Sequence, residues 1–209
     1  MKLVELTITD FINTLGSDAP APGGGSASAL ASAQGAALTE MVMHLSIGKK
    51  KYAEYEEELT QIRDKVQELK EALLVAIDKD TESFNAVSAV FKMPKDTDEE
   101  KAARKEAMSE ALKGAAQTPL ETMSLTVEVL KETQAAVGKS NTNAASDLGV
   151  AALNLISGLK GSYLNVLINL PGINDADLVS DLTAQADQLK AEGEKIAQEI
   201  YDEIEASLK

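Results

Sequence analysis

One carboxylate sits where helix periodicity demands an apolar side chain. Leu59, Ile62, Val66, Leu69, Leu73, Ile77, Phe84, Val87 and Phe91 recur at steps of three, four and seven, the pattern of a single buried helix face. Asp80 falls on that same stripe, between Ile77 and Phe84. A carboxylate held among apolar neighbours is costly unless it is paired or protonated. The same environment lifts its pKa toward the range of a general acid or base. The spacing also admits a break in the helix, with Asp78 or Asp80 capping a new segment at Thr81.

A second set lies on the segment 142–169. Asn143, Asp147, Asn154, Gly158, Gly161 and Asn165 form one polar, small-residue face on an otherwise apolar helix. Close helix packing accounts for the glycines. Asp147 needs another reason, and a wet cavity is the favoured one over a capping role. A third signal is Pro20-Ala-Pro-Gly-Gly-Gly-Ser26 feeding a helix. Successive glycines leave bare amides near a helix N-terminus, where negative charge is welcome, although such turns also serve as plain hinges. No Gly-Lys-Ser/Thr follows, so this is not a nucleotide-binding P-loop. The fourth is Gly48-Lys-Lys-Lys-Tyr52, the densest basic cluster of the chain. It reads first as a charge complement to a helix C-terminus, and second as a docking point for a ligand carboxylate. His44 stands on a small-residue helix and reads as a packed or capping residue.

Composition narrows the chemistry. Twenty basic and 34 acidic residues give a net charge of −14, which repels phosphate backbones and disfavours nucleic acid as a partner. The 209 residues contain no cysteine and one histidine. Thiolate zinc sites, cysteine nucleophiles and multi-histidine metal sites are therefore excluded, and acid–base work falls to carboxylates or lysines. Glu5 and Asp10 interrupt what would be the apolar stretch of a signal peptide, and Leu148–Leu159 is too short to span a bilayer. The expectation is a cytoplasmic protein with no membrane partner.

The elements that must position these residues are helical throughout. The pattern predicts a short helix over Thr9–Leu15, then one over Ser26–Ser46 ended by Gly48. A long helix runs from about Tyr52 until Pro94 stops it, and another starts at Asp96–Glu100 and is kinked or divided by Pro119. A central helix spans Thr142–Asn169. A last one, from about Asp175, carries Leu178, Leu182, Leu189, Ile196, Ile200 and Ile204 on one face and reads as peripheral or partner-facing. The predicted fold is all-α, a multihelical bundle of long antiparallel helices in one domain over 1–209. Such long seams are most easily buried by a second copy, so a homodimer is expected.

Six segments in order resemble the cyclodeaminase/cyclohydrolase family of folate one-carbon enzymes. They are Pro20–Leu30, Gly48–Tyr52, Asp78–Phe84, Met93–Lys101 with Arg104, Ser140–Asp147 and Asn165–Leu170, spread so that the resemblance runs over nearly the whole chain. The family includes the C-terminal domain of formiminotransferase-cyclodeaminase and stand-alone cyclohydrolases. The resemblance implies an all-helical oligomer built from dimers and a tetrahydrofolate derivative as substrate. It also implies chemistry that needs no metal or other cofactor. With no transferase domain in the sequence, a separate formiminotransferase is a candidate partner. The family's catalytic acid matches the second Asp of Asp-x-Asp, which is Asp80. The matched segments suggest that Asp147 shares the proton transfer or, with Asn141, orients the pterin. Gly24, Gly25 and Ser26 would offer amides and a hydroxyl, Asn165 would bind substrate, and Lys49 and Lys50 would meet the glutamate tail. Ser140 stands where the motif often has glycine. The leading reading is a formiminotetrahydrofolate cyclodeaminase, with methenyltetrahydrofolate cyclohydrolase second, since no residue separates ammonia from water chemistry. A helical scaffold without activity is the alternative from another class.

Overall fold

The computed structural model describes residues 2–209, and among them there are helices and no strand. Six α-helices follow in order: α1 (Ile8–Leu15), α2 (Gly24–Ser46), α3 (Glu56–Phe91), α4 (Asp98–Ala136), α5 (Ala145–Asn169) and α6 (Ala176–Ser207). Short 3₁₀ turns at Lys50–Tyr55, Thr142–Ala144 and Leu170–Gly172 join them. The all-α bundle expected from periodicity is the observed one.

α3 runs unbroken through Asp80, as the single-seam reading requires, so that residue caps no new segment of its own helix. One boundary differs from the sequence reading. α4 runs unbroken through Pro119, whose ring is buried against the neighbouring helices. Packing on both sides offsets the lost hydrogen bond that would end an isolated helix. The start of α4 is fixed by a capping box, with Thr97 accepting from the Glu100 amide and Glu100 accepting from the Thr97 amide.

α2 is the axis of the molecule, packed against α3 on one side and α5 on the other. Small residues make this possible. A Cβ on Gly158 would fall 2.1 Å from the Ser32 hydroxyl oxygen, and one on Gly35 would fall 2.5 Å from Cγ of Leu155. α2 and α5 therefore run antiparallel at backbone-contact range, which no larger side chain would permit. On its third side α2 meets α4 through buried hydroxyls. Thr126 donates to Ser32 at 2.8 Å, and Thr39 and Thr133 share a hydrogen bond of 2.8 Å. Each such bond contributes about 1 kcal/mol, and breaking one strands its partner at a comparable or larger cost.

The main core gathers Leu59, Val66 and Leu73 of α3 with Leu130 of α4, Leu148 and Leu155 of α5, and Ile200 of α6, all essentially inaccessible to solvent. Truncating any of these leucines to alanine costs about 2–5 kcal/mol. α6 turns its apolar face, including Leu182, Ile196, Ile200 and Ile204, onto α4 and α5 of its own chain. That fits the peripheral reading of α6, whose stripe is covered within its own chain. The unpartnered apolar surface lies instead on α2 and on the outer side of α5, which is not enclosed all round. Met41, Leu45, Val150, Leu153, Leu164 and Ile168 are exposed there, Ile168 at 77 %. No helix among the described residues is long and apolar enough to cross a membrane.

Candidate active site

The Pro20–Ser26 turn delivers the first turn of α2 onto the middle of α3. Gly23 is the N-cap and supplies no side chain to satisfy the helix amides. Asp80, from the neighbouring helix, takes that role. The Ser26 N–H donates to Oδ2 of Asp80 at 2.8 Å, and the Ser26 hydroxyl lies 3.0 Å from the same oxygen. The hydroxyl is also 3.0 Å from the Ile77 carbonyl, so its single proton is shared between two acceptors. Asp80 therefore does cap a helix, but across space.

Gly25 is what lets the two helices meet. A Cβ there would lie 1.9 Å from Oδ1 of Asp80, so only glycine leaves room for the carboxylate. Burial pushes the Asp80 carboxyl above the ordinary carboxylate range, and the two hydrogen bonds from Ser26 oppose that shift without cancelling it. Oδ2 is held, while Oδ1 accepts no hydrogen bond among the described residues. Oδ1 is the oxygen free to exchange a proton. Asp78 does different work, accepting from the Leu3 amide at 2.6 Å and pinning the N-terminal segment to α3.

Asp80 opens into a cavity of about 400 Å³. Its floor is the Gly23–Gly25 turn, and one wall is α3, with Ser83, Phe84, Val87 and Phe91. The opposite wall is the C-terminal end of α5, with Asn165, Ile168 and Asn169. Asn165 donates to its own helix at Gly161 (2.8 Å), which leaves its amide oxygen toward the cavity. Asn169 bridges α5 to α4 by donating to the carbonyls of Asn165 and Ala115, at 2.7 and 3.1 Å. Ser83 shares a 2.9 Å hydrogen bond with Thr118 and ties α3 to α4 behind the cavity.

The structure thus brings together Asp80, Gly24, Gly25, Ser26 and Asn165. It does not bring Asp147, Asn141, Lys49 and Lys50 to them within one chain. Those four lie at the other end of α2. The Asn141 amide donates to the Ser46 hydroxyl oxygen (2.8 Å), and its side chain donates to the Leu45 carbonyl (3.1 Å). Twenty residues of helix separate Ser26 from Ser46, about 30 Å. Asp147 is half-buried in the first turn of α5, away from the Asp80 cavity. Lys49 and Lys50 are exposed. The glycines of the α5 stripe pack on Ser28 and Ser32 of α2 and line nothing. Asn154 faces solvent and donates to the Val150 carbonyl. His44 is exposed, 3.7 Å from Glu40, and is neither packed nor a cap.

Asn169 and Ser83 were missed from sequence. Asn169 repeats Asn165 one turn on, a spacing that signals a shared face. Phe84 and Phe91 belong to the predicted buried seam but are 40 % and 62 % exposed, because they line the cavity while Val87 and Val90 of the same stretch stay buried. Among the described residues no group of acidic or histidine side chains is placed to hold a metal ion.

Comparison with known proteins agrees with the geometry. The sequence pattern of the family described as Formiminotransferase-cyclodeaminase matches residues 7–188. The chain is 40 % identical over 202 residues to a methenyltetrahydrofolate cyclohydrolase of Methylorubrum extorquens, covering 97 % of each chain. It is 30 % identical over 205 residues to the formimidoyltransferase-cyclodeaminase of Sus scrofa, of whose length it spans 38 %. The crystal structure of a formiminotetrahydrofolate cyclodeaminase from Thermotoga maritima superimposes with a TM-score of 0.88 at 26 % identity, over 98 % of both chains. The match covers both walls of the Asp80 cavity, and the chain belongs to the cyclodeaminase/cyclohydrolase family of folate one-carbon enzymes.

Proposed function

We propose that this protein is a methenyltetrahydrofolate cyclohydrolase with Asp80 as its general acid–base group. The observation that carries the reading is the Asp80 carboxyl itself, half-buried at the cavity floor with one oxygen held by Ser26 and the other free. The full-length relative that is 40 % identical supports water as the nucleophile. Water attacks the methenyl carbon while ionised Asp80 takes one of its protons, giving a neutral tetrahedral carbon bound to two nitrogens. Asp80 then returns that proton to N5 as the C–N5 bond breaks. The remaining hydroxyl proton is lost to solvent, leaving the formyl group on N10. The carboxylate also stabilises the cationic substrate in a site of reduced water content. Asn165 offers its amide oxygen to the pterin, and Phe84 and Phe91 offer aromatic surface to the ring system.

A second reading keeps the same residues. The Thermotoga maritima structure is titled a formiminotetrahydrofolate cyclodeaminase. There Asp80 would protonate the departing ammonia while N10 closes on the formimino carbon. Absorbance assays with each substrate separate the two. Loss of the methenyl chromophore from methenyltetrahydrofolate, above the spontaneous rate, supports the hydrolase. Its appearance from formiminotetrahydrofolate, without hydrolysis, replaces that assignment with the lyase.

The assembly belongs to the same proposal. α2 carries only Glu40 and His44 as titratable groups, and α5 only Asp147, Lys160 and Tyr163. Their outer faces form the low-charge surface on which two chains of net −14 can meet, so a homodimer through Met41, Leu153 and Leu164 is the expected form.

A further inference from the structure

Ser26 is wholly inaccessible to solvent and does not line the Asp80 cavity. The substrate contact that the sequence suggests for its hydroxyl is therefore closed to it. Bulk water cannot reach the hydroxyl either, so its one proton must go to an atom of the protein. Oδ2 of Asp80 and the carbonyl oxygen of Ile77 each lie 3.0 Å away. The Thr81 hydroxyl, at 3.4 Å, is longer than a usual O–H···O bond. The Ile77 carbonyl keeps a lone pair beyond the one engaged within α3, so both near acceptors are open to the same donor.

We propose that Ser26 is a positioning residue for the proton transfer, its hydroxyl turning to Oδ2 while Asp80 is ionised and to the Ile77 carbonyl once Asp80 holds the proton. The inference rests on Asp80 being the acid–base group. The order follows from bond strength, because a hydrogen bond to an ionised carboxylate is about twice as strong as one between neutral groups. Ionised Asp80 therefore takes the hydroxyl, alongside the Ser26 amide at 2.8 Å. With two donors on Oδ2, the proton drawn from water goes to Oδ1, the oxygen that faces Gly25 and accepts nothing from the described residues. Neutral Asp80 then offers Oδ2 as an ordinary carbonyl acceptor, no better than Ile77. The hydroxyl can turn about its Cβ–Oγ bond without being left unpaired, while the amide stays on Oδ2 and keeps the carboxyl oriented. The Ser26 proton never leaves its oxygen. The only bonds exchanged are the O–H broken in water and the O–H formed at Oδ1. The ionised form is thus favoured, as the hydrogen bonds from Ser26 opposing the effect of burial require, and the neutral form carries no stranded donor.

No charged group competes for this role. Asp80 is the only ionisable side chain lining the cavity. Beside it on α3, Lys79 pairs with Glu121 of α4, Asp78 accepts from the Leu3 amide and Glu82 is exposed. Lys113 of α4 pairs with Glu110. The first titratable group along α2 is Glu40, fourteen residues or about 21 Å from Ser26. On α5, Lys160 and Tyr163 engage Glu194 and Asp187 of α6, and Asp147 lies at the far end. Asp18, in the turn before α2, is exposed.

The test uses the full chain carrying ¹³C at the aspartate carboxyls and isoleucine carbonyls, titrated by NMR over the acid range in which circular dichroism shows it folded. The Asp80 signal is the one missing from Asp80→Asn. Ser26→Ala removes the hydroxyl, keeps the amide and adds no bulk, and thermal melts establish that it is folded. It is expected to raise the Asp80 midpoint by about one pH unit, a tenfold change in proton affinity. The acidic limb of kcat/KM is expected to move with it, and KM at high pH to change less than about twofold. In wild type the Ile77 carbonyl signal should titrate with the Asp80 midpoint, and Ser26→Ala should lose most of that response. An unmoved Asp80 midpoint, or an Ile77 signal equally responsive in both proteins, overturns the proposal. A raised KM with an unmoved limb overturns it in favour of a substrate contact. The NMR readout needs no turnover. If wild type converts neither methenyl- nor formiminotetrahydrofolate, the reaction assigned to Asp80 falls, while the Asp80 and Ile77 signals still decide the two positions of the hydroxyl.

Discussion

The two ends of α2 present similar residue types and very different chemistry. At its N-terminus a carboxylate, an asparagine and a serine surround a cavity, and Asp80 is driven toward neutrality by burial. At its C-terminus a carboxylate, an asparagine and three lysines decorate a turn. There Lys51 donates to the Thr142 hydroxyl and Asn141 closes the helix end. The difference is what surrounds each carboxylate. Three helices converge around Asp80, whereas Asp147 has solvent on one side. A polar residue becomes chemically useful when neighbouring elements exclude water from it, and periodicity along one helix reports only part of that.

The largest expected effect separates the two ends directly. Asp80→Asn should lower turnover about 10²–10⁴-fold while leaving a cooperatively folded protein, measured by the methenyl absorbance assay and a urea titration. Its stability carries a sign. The folded-state pKa of Asp80 is raised, so the ionisation penalty grows as pH rises from the unfolded-state value through the folded one. At neutral pH removing the charge should therefore leave stability equal or higher. Wild-type turnover in Asp80→Asn would transfer the active-site assignment to the other end.

Gly25→Ala comes next. Its methyl group would collide with Asp80, so at least a tenfold loss of turnover and about 1–3 kcal/mol of destabilisation are expected from the same two measurements. Asp147→Asn should cost less than tenfold. A loss as large as that of Asp80→Asn would show that a second chain carries the far end of its α2–α5 pair to this cavity. Leu153→Glu bears on the same point, because a charge on the exposed α5 face should convert a dimer into monomers in light-scattering chromatography. The smallest effect is in pH dependence. The acidic limb of kcat/KM should lie above the range of a solvent-exposed carboxylate, since Asp80 must be ionised to accept a proton. A limb at the ordinary carboxylate position would place the base in solvent.

Much of this was legible from residue order. The all-α architecture followed from three-four spacing, and Asp80 stood out because it interrupts an apolar stripe. Gly25 was visible as part of a breaker-rich turn, although its reason, a carboxylate arriving from 54 residues away, was not. Phe84 and Phe91 depart from the buried seam because periodicity says which face of a helix is apolar but not where along that face a cavity opens. α6 reads from sequence as either peripheral or partner-facing for a related cause. Its stripe resembles any other, and only the packing shows that α4 and α5 of its own chain cover it.

What the sequence by itself determined was the set of helices and the one carboxylate placed against their apolar grain. Those depend on interactions over three or four residues, which chain order encodes directly. Which polar residues share a cavity was decided only by the tertiary fold. Two ends of one helix about 30 Å apart cannot touch the same small molecule within a single chain, and nothing local in the sequence records which of them other helices enclose.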